Sequence, residues 1–249
     1  MQVGVAITSV GCQVFFPLDG YEGVATERPA DTCDAGLDSG IRYVNSQATS
    51  FCISGCEAGS QATETVTLDS VHAGSLLIAC ADWTRNPGLE LSVTDVSDAA
   101  WPSVTDASLS TEAGERVAQC FYGPNVEAGS ASVFFRFGAA IGADCVVSEY
   151  AGVGALGQVF SATGAAGTQV AGPTVDAGSA PELLFAFESQ QNVSPSGARP
   201  PLTFTTTGEG NAFGEAYVVL ECPEPVTPTF TVDAAVPWVL IGATFLPER

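Results

Sequence analysis

Short apolar runs recur along the chain, most of them rich in Val, Ile, Phe, Tyr and Thr, with Gly, Pro, Asp or Ser in the gaps. Such runs read as β-strands, at 3–10, 64–71, 75–83, 89–96, 116–122, 132–137, 145–150, 183–188, 202–206, 216–222, 229–232 and 238–245. Several alternate with period two. In the run from Ala131 to Phe137, Val133, Phe135 and Phe137 share one face while Ser132, Phe134 and Arg136 take the other. Leu202 and Phe204 likewise share a face. Alternation of this kind places one face in a core and the other in water, the pattern of antiparallel layers rather than of a parallel α/β sheet. No segment of helical length carries a sustained i, i+3, i+4, i+7 apolar pattern between caps. The expected fold is therefore all-β, an antiparallel two-layer β-sandwich.

Residues 11–62 break the rhythm. They hold four cysteines, turn-forming stretches at Glu27-Arg28-Pro29-Ala30-Asp31 and Asp38-Ser39-Gly40, and few long apolar runs. The division expected is a loop-rich, disulfide-capable N-terminal segment over 1–61 and a sandwich over 62–249. The strand at 3–10 either joins that sandwich or pairs with the sheet edge of a neighbouring subunit. Ser161 to Gly172, rich in Ala, Gly and Thr, and residues 190–201 read as exposed loops.

Charge narrows the partners. Twenty-eight acidic side chains face seven basic ones, all arginine, for a net charge of −21. That charge repels phosphate backbones and anionic lipid headgroups, so nucleic acid and membrane surfaces are not expected partners. Nor does any apolar run reach the roughly 18 residues of a membrane span. The first ten residues lack the basic and apolar regions of a secretory signal. Two routes to an extracellular location fit: removal of a signal, or release without one, as with virion components on lysis.

The eight cysteines are Cys12, Cys33, Cys52, Cys56, Cys80, Cys120, Cys145 and Cys222. Their spacing matches no zinc motif, and the sole histidine, His72, stands alone. Four precede residue 60 and four follow it, so each part is expected to close its own bridges. The disulfide candidates are Cys12, Cys33, Cys52 and Cys56, whose three pairings remain open. For Cys80, Cys120 and Cys145, inside strand-like runs, a bridge and a buried free thiol stand level.

From Ala62 onward a series of short motifs follows in order. It opens with Gly74-Ser75-Leu76-Leu77-Ile78-Ala79 and Trp83, then Ser92-Val93-Thr94-Asp95 and Trp101. Phe121-Tyr122-Gly123-Pro124-Asn125-Val126-Glu127-Ala128-Gly129 and Val147-Ser148-Glu149-Tyr150-Ala151-Gly152-Val153 come next. Pro181-Glu182-Leu183-Leu184-Phe185-Ala186 and Trp238-Val239-Leu240 close it. The order resembles a β-sandwich module of secreted bacterial surface proteins and of phage tail and fibre proteins. The family pattern often has Gly-Asn where Ala99-Ala100 stand before Trp101. The resemblance implies a jelly-roll-like sandwich used for surface display or adhesion, and it implies no catalytic residues.

Catalytic chemistry has few footholds. A Ser-His-Asp triad would have to centre on His72, and no nucleophile elbow is present. A sandwich glycosidase would need two carboxylates about 5–10 Å apart, drawn from Glu149, Glu188, Glu215 and Glu221. Calcium is the most reasonable ion, with Asp95 and Asp98 as candidate ligands, although their turn lacks the spacing of an EF-hand loop. Trp83 and Trp101, each at a strand end, are the candidate ligand platforms for carbohydrate; the plainer reading is a large aromatic that plugs the end of a sandwich. Asn192 heads an Asn-Val-Ser glycosylation sequon.

The function expected is that of a non-enzymatic structural or adhesive part of an extracellular assembly, a virion tail, fibre or capsid-surface protein or a filament subunit. Its partners would be copies of itself or other subunits, with no cofactor beyond calcium. A carbohydrate-binding module or surface lectin is the alternative, and a sandwich glycoside hydrolase stands behind it.

Overall fold

The structure, a computed structural model, describes residues 39–51, 62–111, 114–139, 141–176, 178, 181–190, 195–199, 201–205, 213–223 and 225–248. The chain divides into two compact units, Met1–Asp34 and Ala35–Arg249, and every described residue belongs to the second. The described part contains no helix; it is all-β and antiparallel.

Three sheets stack through two cores. The central sheet has the order β1-β8-β3-β6-β5, formed by β1 (Arg42–Phe51), β8 (Ala143–Ala151), β3 (Leu76–Thr84), β6 (Arg116–Gly123) and β5 (Leu109–Ser110). On one side lies the three-stranded sheet of β2 (Thr63–Val71), β7 (Gly129–Phe137) and β4 (Leu91–Thr94). On the other lies a sheet of β12 (Pro195–Ala198), β16 (Thr229–Pro247), β11 (Glu182–Gln190), β14 (Phe213–Leu220) and β13 (Thr203–Thr205), with β9 (Val153–Ala171) paired to β16. A two-stranded ribbon of β10 (Val175–Asp176) and β15 (Pro225–Val226) completes the set.

The expected sandwich is present, and the structure adds a layer to it. Val66, Leu68, Val133, Phe135 and Phe137 pack on Leu77, Ala79, Trp83, Cys145 and Val147. From the opposite face of the same central strands, Leu76, Ile78, Val146 and Tyr150 pack on Leu183, Phe185, Phe187, Val239, Ile241 and Phe245. A third cluster covers the outer face of the β11 sheet, where Leu184, Ala186 and Leu240 meet Phe160, Val170, Phe230 and Trp238. The reason is written in the strands: β3 and β8 are buried along nearly their whole length, whereas β2 and β7 alternate. Near-continuous apolar runs need both faces covered. Each fully buried Leu or Phe of these cores contributes roughly 1.5–3 kcal/mol.

Three segments differ from the expectation, one of them being the stretch 190–201 expected to be a loop, within which Pro195–Ala198 forms β12 and pairs with β16. Residues 42–51, assigned to the loop-rich segment, form β1 and pair with β8 from Arg42↔Ala151 to Phe51↔Ala143. The sandwich therefore takes in residues on the N-terminal side of Ala62. The stretch 161–172, expected to be a loop, belongs to β9 through Ala171. Its glycines weaken strand propensity, but packing requires one of them: a Cβ on Gly164 would lie 2.3 Å from the Trp238 ring. The same ladder brings Phe160 over Gly242, where a Cβ would meet that ring at 2.1 Å. Of the other strand-like runs, 3–10 lies outside the described residues.

Candidate functional site

Of the two readings left level for the strand cysteines, a bridge and a buried free thiol, both occur. Cys80 and Cys120 face each other across β3 and β6 and form a disulfide, fully buried on the inner face of the central sheet. Cys145 is a buried free thiol, and burial pushes its pKa well above the ordinary value. Cys222 is also disulfide-bonded. Cys12, Cys33, Cys52 and Cys56 lie outside the described residues, as does Asn192.

Four fully buried carboxylates lie inside the stack. Strand alternation aims Glu149 toward the β2 sheet, where it is fully buried and saturated. Its Oε1 accepts from the His72 backbone N–H at 2.8 Å and from the Ser75 hydroxyl at 2.8 Å, and it lies 3.0 Å from His72 Nδ1. Its Oε2 accepts from the Asn45 amide at 3.0 Å. This knot ties the β2–β3 turn to β8 and to β1. It is not a hydrolase triad, because the Ser75 hydroxyl donates to the carboxylate rather than to the imidazole.

On the inner face, Asp82 of β3 is fully buried beside Arg116, which donates to it and, at 3.3 Å, to Asp144. Ser189 of β11 reaches across the layer and donates to Asp82 at 2.6 Å. Burial outweighs the Arg116 charge and pushes the Asp82 pKa up to about 6. Glu215 of β14 faces the same layer. Ser148 donates to its Oε2 at 2.5 Å, its Oε1 has no hydrogen-bond partner among the described residues, and burial pushes its pKa up to about 7. Beside it lies an aromatic cluster in which Tyr43 stacks on Tyr217 at 5.3 Å and meets Tyr150 edge-on at 5.8 Å.

Glu188 points to the opposite face of the β11 sheet. Burial first, then the Asp82 charge, raises its pKa well above the ordinary value. Among the described residues, the Gln190 amide donates to its Oε1 at 3.5 Å. The four glutamates weighed as glycosidase carboxylates are thus not brought together: a sheet separates Glu149 from Glu215, and another separates Glu215 from Glu188. Glu221 accepts from Ser39 at the surface, six residues beyond Glu215.

A cleft of about 510 Å³ opens at one end of the sandwich. Two of the short motifs singled out in the sequence form its walls, Asp95 to Pro102 on one side and Tyr122 to Ala128 on the other. The first wall is anchored to β4 by Trp101 N–H to Val93 O at 2.9 Å and joined to the second by Tyr122 N–H to Pro102 O at 3.1 Å. Gly123 lets the walls meet, since a Cβ there would lie 2.5 Å from the Trp101 ring. Asp98 and Asn125, on the two wall loops, have left-handed backbones at φ 61° and 56°. Val96, 79% exposed, stands at the rim.

The two tryptophans proposed as platforms fare differently. Trp83 is 1% exposed, edge-on to Phe137 in the first core, and offers no ring face to a ligand. Trp101 is 8% exposed: its ring belongs to the same core, and it also lines the cleft. The calcium candidates are engaged elsewhere. Asp95 accepts from the Ser97 N–H at 2.8 Å and the Ser97 hydroxyl at 2.5 Å, bonds that lower its pKa against a burial cost that raises it. Asp98 pairs with Arg136 at 2.6 Å. Among the described residues no three His, Cys, Asp or Glu side chains are grouped to hold a metal ion.

No protein-family model matches this sequence, and no curated protein matches it. Sequence reasoning passed over Asp82 and Asn125. An aspartate inside the apolar run from Leu76 to Trp83 was the available signal for the first; only the meeting of two distant loops marks the second.

Proposed function

We propose that this chain is a structural, surface-displayed part of an extracellular assembly, of the kind formed by virion tails, fibres, capsid surfaces or filaments. The observation that carries the reading is the Cys80–Cys120 bridge at the centre of a three-sheet stack. Disulfides of this structural kind form and persist in oxidising surroundings, and a rigid stack of antiparallel sheets suits load-bearing or display. The net charge of −21 supports solubility there. The order of motifs that resembles phage and bacterial surface sandwiches points the same way. Light scattering on the purified full chain tests the reading: the expected result is an oligomer, and a monomer at every concentration would overturn it.

A carbohydrate-binding role is the second reading, supported by the cleft between the Trp101 and Asn125 loops. A glycan array with the wild type and with Asn125→Gly tests it. Glycine keeps the left-handed backbone and removes only the amide side chain. Signal in the wild type and its loss in the variant are expected; no signal in either removes the reading.

A further inference from the structure

The longest uncharged stretch of this acidic chain runs from Tyr150 to Val175, and it contains β9. At 19 residues β9 is as long as any strand described, and its ladder is one-sided. Among the described strands it pairs only with β16, from Val153↔Pro247 to Ala171↔Thr229. The edge away from β16 presents backbone N–H and C=O groups without strand partners among the described residues. The strand lies at the surface: Val159 is 43% exposed, and Ser161, Thr163 and Ala165, on the same face, are exposed as well. Natural sheets blunt such edges with lysine, proline, inward charges or short length. β9 has no proline and no charge, and it is long; its ladder with β16 carries register shifts, between which it pairs in register from Phe160↔Gly242 to Thr163↔Val239.

We infer that β9 is an assembly edge that pairs antiparallel with β9 of a second copy, joining two β16–β9 sheets about a two-fold axis. The inference rests on the assembly reading above and names its contact. A second copy is the occupant that the charge pattern fits. Two bodies of net charge −21 repel wherever their carboxylates meet, and on this strip neither copy carries one. A basic partner would be drawn to the acidic surface and would find no carboxylate here. Antiparallel pairing of a strand with itself is isologous, so each residue supplies what its counterpart needs. Pairing over half of β9 would form about ten backbone hydrogen bonds, the complement of a standard protein interface.

The test is sedimentation equilibrium of the full chain, wild type against Val159→Lys/Thr163→Lys, up to the solubility limit. Both positions are exposed, so the fold should survive, which an unchanged thermal melt verifies. The two lysines move the net charge from −21 to −19, so long-range repulsion weakens and only a local effect at the edge can break the dimer. The expected result is association of the wild type and its loss in the variant, with concentration-dependent amide protection over 153–171 in the wild type alone. An oligomer that persists in a folded variant overturns the edge while leaving the assembly reading intact. A wild type that stays monomeric overturns both.

Discussion

Replacing Glu215 with glutamine isolates one buried proton. In the folded chain Glu215 is fully buried between the central and β11 sheets, with Ser148 donating to Oε2 and nothing among the described residues on Oε1. Its pKa rises from 4.5 to about 7, chiefly because burial penalises the charge. The group is therefore protonated in the fold at a pH where the unfolded chain has already released that proton. Its contribution to stability is fully present below the unfolded value and is lost as pH rises through the folded one. The interval between 4.5 and about 7 corresponds to about 3 kcal/mol at 1.36 kcal/mol per pH unit. Glutamine has nearly the same shape, keeps a carbonyl for the Ser148 hydroxyl and does not titrate. Urea unfolding of wild type and Glu215→Gln at about pH 4 and about pH 8 should show the variant gaining about 3 kcal/mol on the wild type between the two. Asp82 and Glu188 titrate upward in both proteins and cancel from the difference. A difference that stays constant with pH would refute the reasoning, for it would mean that water or a rearranged partner solvates the carboxylate in place.

Three further outcomes follow from the packing of the stack. Arg116→Met leaves Asp82 buried without its cation and should cost roughly 3–5 kcal/mol in urea unfolding above pH 6, where Asp82 ionises, and less in acid. Converting both Cys80 and Cys120 to alanine should lower stability by about 2–5 kcal/mol, read as a lower melting temperature that reductant no longer shifts through this bridge. Gly242→Ala places a methyl against the Phe160 ring and the Phe185 carbonyl, and calorimetry should show a loss of about 1–3 kcal/mol.

Much of the architecture was legible before any coordinates, because burial leaves a period in the sequence. The alternation of β7 puts Val133, Phe135 and Phe137 in the first core, as its pattern predicts. The third sheet was not read from the sequence, where two layers were expected; it is the burial of β3 and β11 on both faces that requires it. β9 was not legible: Ala and Gly have little strand preference, and its place is set by Trp238 and Thr244 on a strand more than 70 residues away. β1 was missed for a similar reason, since its polar run Asn45-Ser46-Gln47 becomes a strand only by pairing with β8.

The cysteines and carboxylates draw the line most clearly. Sequence alone determined that the chain is all-β, acidic and able to form disulfides, because composition and local periodicity act over a few residues. Which cysteine meets which, and whether a carboxylate is saturated like Glu149 or, among the described residues, left with an unpaired oxygen like Glu215, depends on strand register. Register brings residues 40 apart, or 67 apart for Ser148 and Glu215, into bonding distance. A one-residue slip would turn each of them to the opposite face. Only the assembled sheets decide that.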